Sequence, residues 1–226
     1  MRTPLVSKKS LAVALVFVST LAWAQTRPTG PSSRQEFLTK LVAAAVERTH
    51  HTVRYDPAYV RIPYPGGDVP ADKGVCTDEI IRVYRAVGVD LQKEVHEDME
   101  RNFSAYPRRW RWFSFHTDTN IDHRRVPNLM VFFSRRGESL AITERAEDYM
   151  PGELVTWDLG GNVPHIGIVV DQRSRASGRT CSSTTSGKDQ RSKTYCSIGR
   201  SRDITAISGR LLYKQSTERH RPEGRS

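Results

Sequence analysis

The feature that most constrains this chain is Cys76, which lies where a Gly/Pro-rich loop gives way to an amphipathic helical pattern, in the stretch GVCTDEII at 74–81. A helix N-terminus carries free N–H groups and about half a positive charge, which favours thiolate over thiol. Such a site can lower a cysteine pKa from about 8.5 to between about 3.5 and 7.5, and this creates a nucleophile. From position alone, a buried structural cysteine is an equal alternative.

The surrounding pattern predicts helices and an irregular wrapping segment. A capping-box pattern and helical spacing predict a first helix over 33–48, and spacings of four predict another over 91–103. The helix that begins at Cys76 is expected to stop at Gly88. Between them, 53–74 is rich in Pro, Gly and Tyr, which indicates an ordered loop. The apolar run 128–133 fits either a strand or a short helix.

The first residues have the pattern of a secretory signal peptide. Arg2, Lys8 and Lys9 precede an apolar run at 11–24 that ends in Ala-Trp-Ala. The alternative is an uncleaved anchor, but the run is shorter than the roughly 20 apolar residues that span a bilayer. We therefore expect cleavage after Ala24, a linker at 25–32, a periplasmic or secreted protein, and no stable membrane anchor.

Charge is distributed unevenly along the chain. The net charge is +10, of which residues 173–226 contribute +9 and the signal peptide +3, so that 25–172 carries −2. A nucleic-acid surface in the body of the protein is therefore not predicted, and binding through the basic tail ranks last among the functions considered. Three cysteines in an oxidising compartment leave at least one thiol unpaired within the chain, and Cys76 is the candidate.

A second block predicts two strands joined by a turn. Residues 151–158 and 164–171 are rich in β-branched and apolar residues, and His165 opens the second strand. A histidine in this position is more often an interior core residue. With Cys76 upstream, the catalytic interpretation is favoured, because a thiol nucleophile needs an imidazole to take its proton and deliver it to the leaving group.

A polar loop at 116–127 contains four potential metal ligands within eight residues. Their spacing matches no coordination geometry, and loop Asp and His side chains usually form caps or remain solvated. We therefore predict no metal and no cofactor.

Four motifs together resemble a bacterial family, domain of unknown function 1287. They are GVCTD at 74–78, NIDHRRVPNL at 120–129, PGELVTW at 151–157 and HIGIV at 165–169. The resemblance covers about 35–172. That family is similar to the NlpC-type branch of papain-like cysteine peptidases, whose secreted members cut peptide bonds in bacterial peptidoglycan.

The resemblance implies Cys76 as nucleophile, His165 as base, and a third polar residue on the strand after Asp171 that orients the imidazole. The backbone N–H of Cys76 is expected to help hold the oxyanion. Further candidate substrate-binding residues are Asp78, Asp122, His123, Arg124, Arg125, Tyr64 and Trp157. A surface salt bridge is the favoured alternative for Arg124 and Arg125, and core packing is an equal alternative for Tyr64 and Trp157, as it is for Tyr55.

From Arg173 the composition changes to Ser, Thr, Arg and Lys, which predicts a disordered tail over 173–226 in place of the final strands. Codons for 180–207 can be chosen so that reading from the third base gives a His-Asn-Ile-Gly strand and a Gly-His-Tyr-Arg ending, as in the resembled family. This favours a frameshift near Arg179, which removes the third catalytic residue.

The predicted fold is α+β and papain-like, with N-terminal helices on an antiparallel sheet and one domain over 33–172. The predicted function is a cysteine hydrolase acting on amide bonds of peptidoglycan peptides, impaired in this chain. The alternative is a non-catalytic wall-binding or structural module of the same fold. The sequence carries no indication of oligomeric state.

Overall fold

The computed structural model describes residues 33–107, 116–143, 145 and 148–173, together with three strands at 180–185, 192–195 and 205–208. All of these residues belong to one compact unit, 31–226. The predicted signal peptide (1–24) and linker (25–32) lie outside the described residues. No helix within the described ranges is long and apolar enough to cross a membrane.

The described chain alternates helices and strands, and the fold is α+β. The helices are α1 (Ser33–Arg48), α2 (Cys76–Ala86), α3 (Leu91–Asn102) and α4 (Val126–Arg136), with short 3-10 helices at Phe103–Ala105 and Asp122–Arg124. The strands are β1 (Arg54–Tyr55), β2 (Lys73–Gly74), β3 (Glu138–Leu140), β4 (Leu154–Asp158), β5 (Pro164–Arg173), β6 (Thr180–Thr185), β7 (Ser192–Tyr195) and β8 (Thr205–Ser208).

Helices α1, α2 and α3 form where the apolar spacing predicts them. Helix α1 buries Phe37, Leu41 and Ala45 at spacings of four. Helix α2 stops just before Gly88, whose N–H bonds the carbonyl of Arg85, as predicted. Helix α3 begins after Asp90, whose carboxylate accepts the N–H of Gln92 at 3.1 Å.

The ambiguous apolar run at 128–133 is part of a helix, α4. Proline lies in its first turn, where the missing N–H costs nothing. Val126, Leu129, Phe132 and Phe133 repeat at three and four residues and are all buried. The helical period of burial, and not the apolar content, decides between the two structures.

Six strands form an antiparallel sheet with the order β3-β8-β4-β5-β6-β7. The predicted pair of strands at its centre is confirmed as β4 and β5, which align Thr156 with Ile166 and Trp157 with His165. Their loop contains three consecutive residues with positive φ, Gly160, Gly161 and Asn162. These left-handed residues turn the chain back within a short connection.

The prediction of a disordered tail in place of the final strands is wrong for three segments, because β6, β7 and β8 lie in the sheet. Composition misled here because Ser, Arg and Lys dominate the average, whereas these short segments are rich in threonine, which favours strands. Both β4 and β5 also present backbone groups that need partners. The rest of 174–226 lies outside the described residues.

The sheet separates two apolar clusters. The larger one packs α1, α2, α3 and α4 against Leu154, Ile166, Ile168 and Val170. The smaller one, on the other face, contains Tyr149, Val155 and Val169. Successive residues of β4 and β5 therefore alternate between the helix side and the far side of the sheet.

The segment 53–74 wraps around α2 as an ordered loop, as predicted, and Arg82 holds its second half. The buried guanidinium donates to both carboxylate oxygens of Asp68 at 2.8 and 3.2 Å, and to Glu79 at 2.7 Å. It also reaches the carbonyls of Val69, Pro70 and Lys73 at 3.1 to 3.2 Å. Arg82 thus ties residues 68–73, shortly before Cys76, to α2.

Replacing Arg82 by Met should lower the free energy of unfolding by about 3 to 5 kcal/mol, because Asp68, Glu79 and three carbonyls lose a buried partner. The matched control is Arg101→Met, since Arg101 also lies on a helix but its side chain is 56% exposed; it should change stability by less than about 0.5 kcal/mol. Urea unfolding measures both. Equal losses in the two variants would show that Arg82 does not hold the loop.

Candidate active site

Cys76 is the first residue of α2, as the sequence predicts. Val75 is extended, with φ −120° and ψ 177°, and precedes the helix as its N-cap. The Asp78 carboxylate reaches back and accepts the Val75 N–H at 2.7 Å. Because valine has no side-chain acceptor, this is the carboxylate half of a capping box, and it closes the first turn around the cysteine.

The sulfur of Cys76 is buried in the apolar core and does not lie in an open groove. The residue is 6% exposed and belongs to the same apolar cluster as Ile166. Burial, and to a smaller extent the nearby Asp78 charge, raise the pKa of the thiol to about 12. Hydrogen bonds from the N–H groups of Ile166, Thr77 and Cys76 itself lower the pKa, but they do not offset burial.

The predicted depression of the Cys76 pKa is therefore wrong for this conformation. The helix N-terminus does supply N–H groups to the sulfur, as predicted. However, removing a thiolate from water costs more than these bonds return. The resting thiol is protonated at neutral pH.

His165 lies on β5 next to Ile166, the residue whose N–H bonds the Cys76 sulfur. The residue is 3% exposed, and its ring packs edge-on against Trp157 with centroids 4.7 Å apart. Burial lowers the pKa of the imidazole to about 4, so the ring is neutral at pH 7. Strand alternation puts His165 on the far face with Trp157 and Val155, whereas Ile166 points into the cluster that contains Cys76.

The thiol of Cys76 therefore lies against Ile166 of β5, and the imidazole belongs to the adjacent residue, His165. The two groups are on opposite faces of that strand. The link between them is the backbone N–H of Ile166, which donates to the sulfur. Among the described pairs, β5 begins to pair with β6 only at Ile168, opposite Ser183, so Ile166 lies beyond that ladder. The expected third residue after Asp171 falls among side chains outside the described part.

Tyr55 is the partly exposed aromatic residue at this site. It lies on β1, directly paired with Gly74 of β2. Partial burial raises the pKa of its hydroxyl, and the charges of Cys76 and Asp78 raise it further. The side chain is 40% exposed, so Tyr55 is not a core residue.

Asp78 and Arg124 bind each other. Arg124 donates from Nε to Asp78 Oδ1 at 2.8 Å and from Nη2 to Oδ2 at 3.0 Å, and both side chains are almost fully buried. A substrate carboxylate therefore has no access to this guanidinium. The alternative of a surface salt bridge is correct about the pairing and wrong about the exposure.

Asp122 binds His96, a residue that the sequence interpretation missed. His96 Nδ1 lies 2.9 Å from Asp122 Oδ2, which also accepts the Asp118 N–H at 2.8 Å. Burial raises the pKa of Asp122, although these two bonds oppose the rise. The available signal was the position of His96 on the buried face of α3, next to Val95.

His123 is buried beside this pair. Its Nδ1 has no hydrogen-bond partner among the described residues. Burial, together with the nearby charges of Arg124 and Arg85, lowers the pKa of the ring to about 3. His123 is thus a neutral interior residue, and the structure does not bring it to a surface that a substrate could reach.

The remaining candidates lie apart from one another. Arg125 is half-buried, and burial lowers the pKa of its guanidinium. Tyr64 is 39% exposed and packs edge-on against His96, with centroids 5.1 Å apart. Trp157 packs against His165 on the far face of the sheet. Within the described residues, no group of three or more His, Cys, Asp or Glu side chains could hold a metal ion.

Comparison with known proteins gives the family. Residues 42–195 match the family described as Domain of unknown function (DUF1287). The chain belongs to this family. The match confirms the predicted resemblance and extends past the predicted domain boundary at 172, as far as the end of β7.

One relative is the Uncharacterized protein YijF of Escherichia coli strain K12. The two sequences are 50% identical over 124 residues, which is 55% of this chain and 60% of the relative. The chain thus spans about three-fifths of the length of that protein. No solved structure matches this chain.

Alkylation of Cys76 should be slow and should rise with pH without a plateau. The thiolate is the reacting form, so a pKa of about 12 predicts about a tenfold gain in rate per pH unit between pH 7 and 10. In urea, where the pKa returns to its ordinary value near 9.0, the rate should level off around pH 10. Iodoacetamide labelling read by peptide mass spectrometry isolates Cys76 from the other cysteines. A plateau below pH 8 in the folded chain would contradict the burial of the thiol.

Proposed function

We propose that this protein is a cysteine hydrolase of papain-like, NlpC-type fold that cleaves amide bonds in cell-wall peptides. The observation that carries the proposal is the sulfur of Cys76 at the start of α2, with N–H groups of Ile166, Thr77 and Cys76 directed at it. Donors aimed at a thiolate also stabilise the negative charge that develops during acyl transfer. His165, next to Ile166, is the nearest proton acceptor along the strand.

The chemistry is a two-step acyl transfer. The thiol proton passes to the His165 imidazole as the sulfur attacks the amide carbonyl, and the N–H of Cys76 donates to the oxyanion. The C–N bond breaks as the imidazolium returns its proton to the leaving amine, which leaves a thioester. Water then attacks the thioester, and the thiol and the neutral imidazole are restored.

The resting state described above sets a condition on this chemistry. Both groups are neutral at pH 7, and they start on different faces of β5. Direct proton transfer therefore requires the thiol and the imidazole to come together when a substrate binds. The bound substrate must also supply the contacts that the thiolate lacks at rest.

A non-catalytic binding module of the same fold is the second candidate. The burial of the sulfur and the raised pKa of the thiol favour it, since a structural cysteine needs neither access nor charge. In that case Cys76 simply fills the core between α2 and β5. Export to the periplasm, proposed from the first 24 residues, suits both functions.

Hydrolysis separates the two candidates. Purified protein should release new amino groups from peptidoglycan stem peptides and should form a thioester adduct with a peptide acyl probe. Cys76→Ala should abolish both, and His165→Ala should lower the rate by about 100-fold or more, as expected for loss of a general base. The control is His123→Ala, which removes a buried histidine that plays no part in the chemistry. If the unsubstituted chain shows neither turnover nor an adduct, the hydrolase proposal is wrong and the binding module is the remaining candidate.

We also propose that the chain from about Arg179 is read in a shifted frame, which deletes the third residue that orients His165. The proposal rests on the permitted codons of 180–207 and on the family resemblance. The nucleotide sequence tests it directly: the third-base frame should be open and should encode the His-Asn-Ile-Gly strand. Stop codons in that frame would refute it. Restoring the frame should raise hydrolysis, because the third polar residue of a catalytic triad holds the imidazole in the tautomer that can accept the thiol proton.

A further inference from the structure

Arg124 binds two other parts of the chain at once, α2 and the segment around Ala58. Its guanidinium binds both oxygens of Asp78 in α2 at 2.8 and 3.0 Å, and its Nη1 donates to the carbonyl of Ala58 at 3.0 Å. Its own carbonyl accepts the hydroxyl of Thr77 at 3.0 Å. All three nitrogens of the guanidinium thus donate to partners inside the protein.

The contact with Asp78 controls the backbone around the thiol. Asp78 Oδ2 accepts the Val75 N–H, and the side chain packs against Gly74 so closely that an added Cβ there would lie 3.0 Å from the same oxygen. Gly74 also has φ +153°, which other residues rarely adopt. The conformation of residues 74–76 therefore depends on the position of Asp78, and Arg124 sets that position.

The contact with Ala58 holds a second segment of the site. Residues 54–59, here termed the strap, contain Tyr55, which pairs with Gly74 of β2, two residues before Cys76. The strap is also tied by the Asp56 N–H to the Gly74 carbonyl at 3.0 Å and by the Tyr59 hydroxyl to Asp118 at 3.0 Å. Among the groups that hold the strap in these bonds, Arg124 is the buried cation.

We propose that Arg124 is the positioning residue of this site, because one guanidinium holds both the first turn of α2 and the strap, and so fixes Cys76 relative to Tyr55. The inference rests on the proposed function only where it treats Cys76 as the reacting thiol. Arginine is required because its planar fork can bind a carboxylate with two N–H groups and still direct a third N–H elsewhere. A lysine ammonium can keep a bond to Asp78 but cannot span to Ala58 in the same geometry.

Hydrogen exchange of the full chain tests the assignment. In Arg124→Gln, amides in 54–59 and in 73–79 should both exchange about tenfold faster or more, because the strap and the helix turn each lose a charge-assisted bond. In Arg124→Lys, only the strap should accelerate. Labelling of Cys76 with iodoacetamide at pH 8 should be faster in both variants, since the strap beside residues 74–76 loosens.

The matched control is Arg135→Gln. Arg135 also donates to a buried aspartate, Asp98, at 2.9 Å, but it lies on α4. This variant should leave exchange in both segments and labelling of Cys76 unchanged. The proposal is overturned if exchange in Arg124→Gln rises equally in α3 and in the two segments, or if it matches exchange in the control. Arg124 would then be only a general stabiliser. If Arg124→Gln does not fold, the selective effect of Arg124→Lys on the strap decides the question. None of these readouts requires hydrolysis, so an inactive chain can still meet them.

Discussion

The structure around the thiol depends on one buried ion pair, Asp78 with Arg124. Taking both charges out of water is expensive, and the cost is offset by the hydrogen bonds that each partner makes in addition to their mutual attraction. Asp78 receives two guanidinium bonds and a backbone N–H, and Arg124 also reaches Ala58. The pair joins three segments that are distant in sequence, around residues 58, 78 and 124. No two of these segments belong to the same helix or strand. Loss of either partner leaves the other buried and unpaired.

Two opposing effects act on Cys76, and their balance gives the site its resting character. The helix N-terminus and three N–H donors favour a thiolate, whereas burial and the Asp78 charge favour a thiol. Burial dominates, because hydrogen bonds and a partial dipole do not replace the hydration of a fully buried anion. The same reasoning applies to His165 and His123, which are kept neutral by burial. Burial therefore keeps these three side chains uncharged, in contrast to the buried ion pair of Asp78 with Arg124.

The sequence was informative where a local pattern decides the structure. Helices α1, α2 and α3, the β4–β5 pair and the position of Cys76 at a helix start all follow from spacing and turn chemistry. Contacts between distant segments could not be predicted in the same way. The partners of Arg124 and Asp122 lie 46 and 26 residues away, and burial of Cys76 depends on how β5 packs against α2. The strands β6, β7 and β8 were missed because average composition hides short threonine-rich segments.

The turn between β4 and β5 contains none of the chemical groups of the site, yet it determines on which side of the sheet they lie. Because strand residues alternate in direction, the pairing of Trp157 with His165 gives odd-numbered positions to one face and even-numbered positions to the other. A change in that pairing by a single residue would exchange the environments of His165 and Ile166. The left-handed backbone of Gly160, Gly161 and Asn162 thus helps to determine on which face of the sheet the His165 imidazole lies.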